Sequence, residues 1–325
     1  MSRVFKELVA RLSVVEERAR QSDAAARVRP LWHFCRNWRR TRWSYPLDKY
    51  RLAYRILRCP PVVTASRGDL TVCLLTCRRD WLLGLWTLVS FYVFSGRRDP
   101  LLVYSDGTVP PKGRKAFAQI FPGSRFVEPG VADRFLSGML REYPLCREFR
   151  ARQPCGRRLI DFPAMAGSPR ILMLDADVLF LEPPHELTAY LDADEDDVFV
   201  FQPDCQSAYF AEPDAILARF GVEVPERANV GILVASVRGF DYGRIEAWLR
   251  YPEVRTHFWA EQTLWAMYAG RDRARLLGPA YAVRLERGIR PGSVVKHYVS
   301  PIRELIYTEG LRELRSRLHS RGIRL

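Results

Sequence analysis

No stretch of this 325-residue chain is apolar for long enough to cross a bilayer. The most apolar run, Trp81 to Ser95, falls short of the roughly 18–20 residues a transmembrane helix needs, so it reads as a buried helix and argues against an integral membrane protein. The N-terminus also lacks the uninterrupted apolar core of a secretory signal, because Arg3, Lys6, Glu7, Arg11, Glu16 and Glu17 punctuate it. The chain is therefore expected to stay in the cytoplasm. Cysteine is sparse and odd in number, seven in all, and no two have the CxxC spacing of a zinc or thioredoxin-like site. A disulfide scaffold is excluded, and the cysteines read as reduced packing residues. Lysine is scarce as well, with five among 51 cations, an arginine bias that genomic base composition explains as readily as function does. Two phosphate-binding devices are missing. No GxGxxG follows the first expected strand, and no GxxxxGK[ST] occurs anywhere, which excludes a dinucleotide fingerprint and a P-loop.

What is present belongs to an ordinary globular protein. Hydrophobic residues make up 48% and charged residues 27%, which excludes a disordered or collagenous chain. The length suits one large α/β domain with extensions. The net charge of +14 is concentrated in the flanks: residues 27–58 carry ten basic side chains against one acidic, whereas residues 59–302 are nearly neutral. Within 27–58 the arginines interleave with Trp32, Phe34, Trp38, Trp43, Tyr45, Tyr50 and Tyr54. That mixture suits either a solvated helical face or an anionic membrane surface, and nucleic acid less well. Residues 1–26 place Val4, Phe5, Leu8, Val9, Leu12 and Val15 at helical spacing, a face for packing on the rest of the protein. Pro60-Pro61 marks a boundary.

From there strand and helix alternate. Leu70 to Thr76 predicts a strand, Trp81 to Phe94 a helix, Leu101 to Tyr104 a strand, Pro110 to about Phe121 a helix, and Ser124 to Val127 a strand. That order predicts a mostly parallel sheet with helices on its faces, with ligands at the carboxyl ends of its strands.

The chemistry lies at Arg170-Ile-Leu-Met-Leu-Asp175-Ala176-Asp177-Val-Leu-Phe-Leu181, where two carboxylates interrupt an otherwise apolar run. Two buried carboxylates repel each other and need positive charge nearby. The run reads as one continuous buried strand, and alternation along it puts Asp175 and Asp177 on one side, able to grip one cation; oxygen donors of this kind suit Mg²⁺ or Mn²⁺ shared with a diphosphate. The opposing reading is a carboxylate pair salt-bridged to core arginines. A second Asp-Ala-Asp, Asp192 to Asp194, has no apolar flank and reads as a solvated turn.

The run "ILMLDADVLF" closely resembles the DxD signature of GT-A-fold glycosyltransferases, which bind nucleotide sugars through a divalent metal. Three further segments follow in the family's order and resemble glycosyltransferase family eight: Asn229-Val-Gly231, Glu261-Gln262-Thr-Leu264, and His297-Tyr-Val-Ser300-Pro301. The resemblance spans about residues 70–302. It implies a GT-A, Rossmann-like sheet over 59–302, flanked by a helical basic and aromatic extension (1–58) and a basic amphipathic tail (303–325). It implies that Asp175, Asp177 and His297 hold Mn²⁺ or Mg²⁺, with nitrogen favouring Mn²⁺. Asn229, Gln262 and Glu261 would serve the sugar and catalysis. Thr76, Arg158 and Arg303 would join the two aspartates in binding the donor, with Arg157 an equal candidate beside Arg158 and Asp106 reading as a turn residue. Where the family has aspartates after the first strand this chain has Cys77-Arg78-Arg79; its motif glycine is Ser300 here and its lysine Arg303. The expected activity is transfer of a hexose from a nucleoside-diphosphate sugar, UDP-linked, to a glycan or lipid-linked acceptor hydroxyl with retention. The segment 27–58 and the tail residues Leu305, Ile306, Leu311, Leu314 and Leu318 point to docking on the inner face of an anionic membrane. Rival readings are a sugar nucleotidyltransferase and a non-catalytic protein that binds membrane or anionic polymer through a relic sheet.

Overall fold

The computed structural model describes residues 51–193 and 197–325. The stretch 1–26, the basic aromatic segment up to residue 50, and Asp194 lie outside the described residues. Strand β1 (Leu70–Thr76) is followed by α1 (Trp81–Ser95), β2 (Leu101–Ser105), α2 (Pro111–Ile120) and β3 (Arg125–Val127), as the alternation predicts. Helix α1 is apolar all round because nearly every residue in it is buried, and it stops at Gly96, whose left-handed φ of 69° lets its N–H cap Tyr92 O. Pro111 opens α2 in the first turn, where a missing N–H costs nothing.

Three helices, α3 (Pro129–Leu136), α4 (Pro144–Arg152) and α5 (Gly156–Met165), lead to β4 (Arg170–Leu174). The rest of the chain contributes β5 (Val178–Phe180), α6 (His185–Asp192), β6 (Phe199–Pro203), α7 (Pro213–Phe220), β7 (Ala228–Ser236), α8 (Tyr242–Trp248) and α9 (Pro252–Thr256). It closes with α10 (Ala260–Arg273, its helical dihedrals broken at Gly270), β8 (Ala274–Leu276), β9 (Val295–His297) and α11 (Leu311–Ser320). The seven-stranded sheet has the order β3-β2-β1-β4-β7-β6-β8. Its strands β3, β2, β1 and β4 are parallel; β7 runs antiparallel to both β4 and β6, and β8 is parallel to β6. Only β7 is reversed, so its first residues sit at the edge where the other strands end. The fold is the mostly parallel α/β sheet flanked by helices that was expected.

One expectation fails in an informative way. The run Arg170 to Leu181 is not one strand: β4 ends at Leu174, the chain turns through Asp175–Asp177, and β5 pairs with β9 in a separate two-stranded sheet. A strand continuing at the centre of a sheet covered on both faces would bury the two carboxylates against apolar neighbours. Leaving the sheet brings them to its carboxyl edge, while Asp175 N–H keeps a bond to Gly231 O at 2.9 Å.

Described residues on both flanks of the sheet pack against α1. Residues 53–58 form a 3-10 turn against α1, with the Trp86 indole donating to Ala53 O at 3.0 Å. Leu305, Ile306, Leu311, Leu314 and Leu318, assigned above to a membrane-facing tail, are fully buried in the core that α1 shares, so that apolar face is not available to a membrane. Among the described residues no helix is long and apolar enough to cross a membrane. Asp192, the last residue of α6, is exposed and ion-paired with Arg97, and the exposed Asp197 pairs with Arg273.

Because Leu314 lies within this core, Leu314→Ala should destabilise the protein by about 2–5 kcal/mol. Phe135→Ser, at a position 63% exposed on α3, should stay within about 0.5 kcal/mol. Urea unfolding measures both, and equal midpoints for Leu314→Ala and wild type would show that α11 is not part of the folded core.

Candidate metal centre

The carboxyl ends of β1, β2, β4 and β6 and the start of β7 meet at one edge of the sheet. The turn after β4 supplies Asp175 and Asp177, and the end of β9 supplies His297. One potential ligand atom from each of the three lies within 4.8 Å of the others. His297 Nε2 is 3.4 Å from Asp177 Oδ1 and 3.6 Å from Asp175 Oδ2. An octahedral cation with bonds near 2.1 Å holds adjacent ligands about 3 Å apart, so the donor set and its spacing fit Mg²⁺ or Mn²⁺ with only small adjustments. Alternation along a strand does not produce this convergence; the turn does.

The arginine reading is also realised, but on different oxygens. Arg158 of α5 gives Nη1 to Asp175 Oδ1 at 2.5 Å, and Arg303 gives Nη1 to Asp177 Oδ2 at 2.6 Å. Each carboxylate thus spends one oxygen on a guanidinium and turns the other toward His297. Both arginines are held from behind. Arg158 also donates to Val230 O at 2.8 Å, and Arg303 Nη2 lies 3.0 Å from Asp80 Oδ1, which also pairs with Arg79 at 2.9 Å. Burial works against ionising Asp177, but Arg303 and His297 outweigh it and hold the carboxyl at about 2. Burial likewise pushes His297 down, and the Asp177 and Asp175 carboxylates more than compensate, so the imidazole titrates above its ordinary value.

His297 is reached through a residue type that the motif resemblance included without explaining. A Cβ on Gly231 would stand 2.2 Å from His297 Cε1, so only glycine lets the imidazole lie against β7. On its far side His297 Nδ1 meets Gln202 Oε1 at 2.8 Å. Gln202 and Asp80 were not anticipated. The signal for Gln202 was legible: a glutamine interrupts the apolar strand Phe199-Val-Phe-Gln202, as the aspartates interrupt theirs.

The other expected residues are distributed around this centre. Asn229 Nδ2 donates to Asp204 Oδ2 at 2.7 Å, and its Oδ1 accepts from Gly231 N–H. Gln262 donates to Ala208 O at 2.8 Å and accepts weakly from Val230 N–H at 3.4 Å. Both amides are engaged with the chain itself. Glu261, buried in the first turn of α10, has Oε1 3.5 Å from Arg158 Nε; burial raises its carboxyl to about 7, Asp175 adding to the rise and Arg158 opposing it. Thr76 is buried at the end of β1, with its carbonyl taken by Asp106 N–H. Arg157 turns away to Asp106 O at 3.3 Å, so of the two neighbouring arginines Arg158 is the one at the centre. Asp106 closes a local turn by accepting from Thr108 N–H at 2.7 Å. Beside the centre, a cavity of about 590 Å³ opens at the ends of β1 and β2, lined by Cys77, Arg78, Arg79, Gly107, Thr108 and neighbouring residues. Arg79, Asp80, Arg303 and Asp177 form a continuous chain of ion pairs from that cavity to the aspartates.

Two measurements check this geometry. Gly231→Ala should weaken Mn²⁺ binding more than 10-fold by displacing the imidazole, and unaltered affinity in a calorimetric titration would contradict the packing. For Glu261 the folded carboxyl binds its proton more tightly than an unfolded one at 4.5, so its contribution favours folding at low pH and is lost as pH rises through about 7. Glu261→Gln should therefore gain stability relative to wild type between about pH 5 and about pH 8; a constant difference across that window would refute the shift.

No protein-family model matches the chain, and no curated protein does. Solved structures of glycosyltransferases do resemble it. The galactosyltransferase LgtC, in complex with donor and acceptor sugar analogs, matches 77% of this chain and 95% of its own at 13% identity and a TM-score of 0.48. The glycosyltransferase GlyE of Streptococcus pneumoniae matches 80% of this chain and 65% of its own at 12% identity and a TM-score of 0.45. Core-mannan synthase A of Aspergillus fumigatus, in its Mn/GDP form, matches 78% and 86% at 10% identity and a TM-score of 0.41.

Proposed function

We propose that the chain is a metal-dependent glycosyltransferase that moves a hexose from a nucleoside-diphosphate sugar, UDP-linked, to the hydroxyl of a glycan or lipid-linked acceptor, with retention at the anomeric carbon. The observation that carries this reading is the convergence of Asp175 Oδ2, Asp177 Oδ1 and His297 Nε2 at the carboxyl edge of the sheet, where ligands of such sheets collect. The order of the four motif segments supports it.

Asp175, Asp177 and His297 would hold the cation, Mn²⁺ over Mg²⁺ because a nitrogen donor suits a transition metal better, and it would supply positive charge to offset that of the departing diphosphate. Arg303 adds a second positive charge on the same side, tethered by Asp80 so that it does not have to be ordered during the reaction. The cavity at the ends of β1 and β2 is the place for the nucleoside, with Arg78 and Arg79 in its wall. Arg158 orients Asp175 through its Nη1 and also meets Glu261. Glu261, its carboxyl raised by burial to about 7, donates to or accepts from sugar hydroxyls. Asn229 and Gln262, already braced on backbone groups, would present their remaining polar edges to the sugar without reorganisation.

One rival is favoured by a specific observation: a guanidinium on each aspartate is what a relic, non-catalytic sheet would also retain. A panel of nucleotide sugars with Mn²⁺, scored by release of nucleoside diphosphate, separates the readings. Chelation should abolish turnover and Mn²⁺ restore it, and Asp175→Asn and Asp177→Asn should each lower it by about 10³-fold. Turnover that ignores both the chelator and the substitutions overturns the proposal. Absence of turnover on every donor, with Asp177→Asn as stable as wild type, favours the relic. Pyrophosphate release from a nucleoside triphosphate and a sugar phosphate would instead identify a nucleotidyltransferase.

A further inference from the structure

Gln202 is fully buried at the end of β6, and both ends of its amide are committed. Its Nε2 donates to Tyr281 O at 2.7 Å, and a carbonyl cannot donate, so the amide orientation is determined by that bond. Its Oε1 therefore faces His297 Nδ1 at 2.8 Å, and the contact is a hydrogen bond only if Nδ1 carries the proton. A neutral imidazole with its proton on Nδ1 has its lone pair on Nε2, the atom turned toward the inner oxygens of Asp175 and Asp177.

The carboxylates by themselves would impose the opposite arrangement. In a neutral, cation-free centre two anionic acceptors draw the ring proton to Nε2, the tautomer that cannot ligate a cation through that nitrogen. Gln202 opposes them, because an Nδ1 lone pair would then face the Oε1 lone pairs across 2.8 Å with no proton between. Gly231 packs closely against the ring beside this contact, where an added Cβ would stand 2.2 Å from Cε1 and 2.6 Å from Nδ1. Around the imidazole the charged groups are Asp175 and Asp177, with the Asp204 carboxylate farther off and Arg158 and Arg303 on the outer oxygens of the aspartates.

We propose that Gln202 is the positioning residue that imposes the Nδ1-protonated tautomer on His297 and so keeps Nε2 open to a divalent cation. This rests on the metal-dependent reading above. Partners of this kind, which orient a ligating histidine through its other nitrogen, are worth about 10–100-fold in metal affinity.

The test has two readouts on the full chain. In the first, ¹⁵N-histidine labelling with long-range ¹H–¹⁵N correlation, recorded metal-free above the imidazole's titration and assigned with His297→Gln, reports the tautomer directly. Wild type should show Nδ1–H, and Gln202→Leu should shift toward Nε2–H. A wild-type ring protonated on Nε2 overturns the proposal whether or not the variant folds. In the second, Mn²⁺ is titrated and the free ion followed by electron paramagnetic resonance. Gln202→Leu should bind about 10–100-fold more weakly than wild type, and Asp177→Asn more weakly still. If wild type binds Mn²⁺ no better than Asp177→Asn, the metal-dependent reading itself falls. If Asp177→Asn loses binding while Gln202→Leu keeps both wild-type affinity and the Nδ1–H tautomer, only the role of Gln202 falls.

Discussion

Two carboxylates two residues apart, with Asp177 buried and Asp175 three-quarters so, repel each other and need positive charge close by, and this requirement organises the carboxyl edge of the sheet. It accounts for the break between β4 and β5, where Asp175–Asp177 form a turn that can reach several partners. It accounts for a buried arginine on α5, whose third contact is a backbone carbonyl of β7. It also explains why β7 is glycine at position 231, where any side chain would push the imidazole off the strand. Residues far apart in sequence are thus constrained by one electrostatic debt.

The way that debt is settled decides what the centre can do. A bidentate arginine fork on either aspartate would occupy both oxygens and leave a closed ionic network. Here each guanidinium reaches its aspartate through Nη1 and places Nη2 elsewhere, Arg158 on Val230 O and Arg303 toward Asp80. The inner oxygens remain directed at His297. The arrangement is therefore an ion-pair cluster that still turns one oxygen of each aspartate inward, the carboxyl of Asp177 being ionised far below neutral pH.

Much of the frame was legible because its signals are local. Strand β1, helix α1, strand β2 and helix α2 follow from apolar runs and from the prolines that open α2, and the carboxylate pair is conspicuous inside an apolar run. What was not legible depended on three-dimensional neighbours. Nothing in Arg170–Leu181 itself says that the strand must end at Leu174; that follows from what lies above and below the sheet. The choice of Arg158 over Arg157 depends on which face of α5 meets β4. The heptad-like leucines of the last segment have the same pattern whether they meet a membrane or the core, and only their burial against α1 distinguishes the two.

That burial ties the end of the chain to the chemistry at the sheet edge. Arg303 follows β9 by six residues and precedes the leucines that lock into the core, so its guanidinium is held from both sides: by the β5–β9 pair that carries His297, and by the packing of Ile306, Leu311 and Leu314. A long, flexible arginine placed by such anchors loses little further freedom when it meets an anion, since the ordering cost has already been met in folding. The C-terminal residues thus act as the clamp that sets where Arg303 stands between Asp177 and Asp80, and a chain lacking them would expose the apolar face of α1 while leaving the Asp177 carboxylate with one cationic partner fewer.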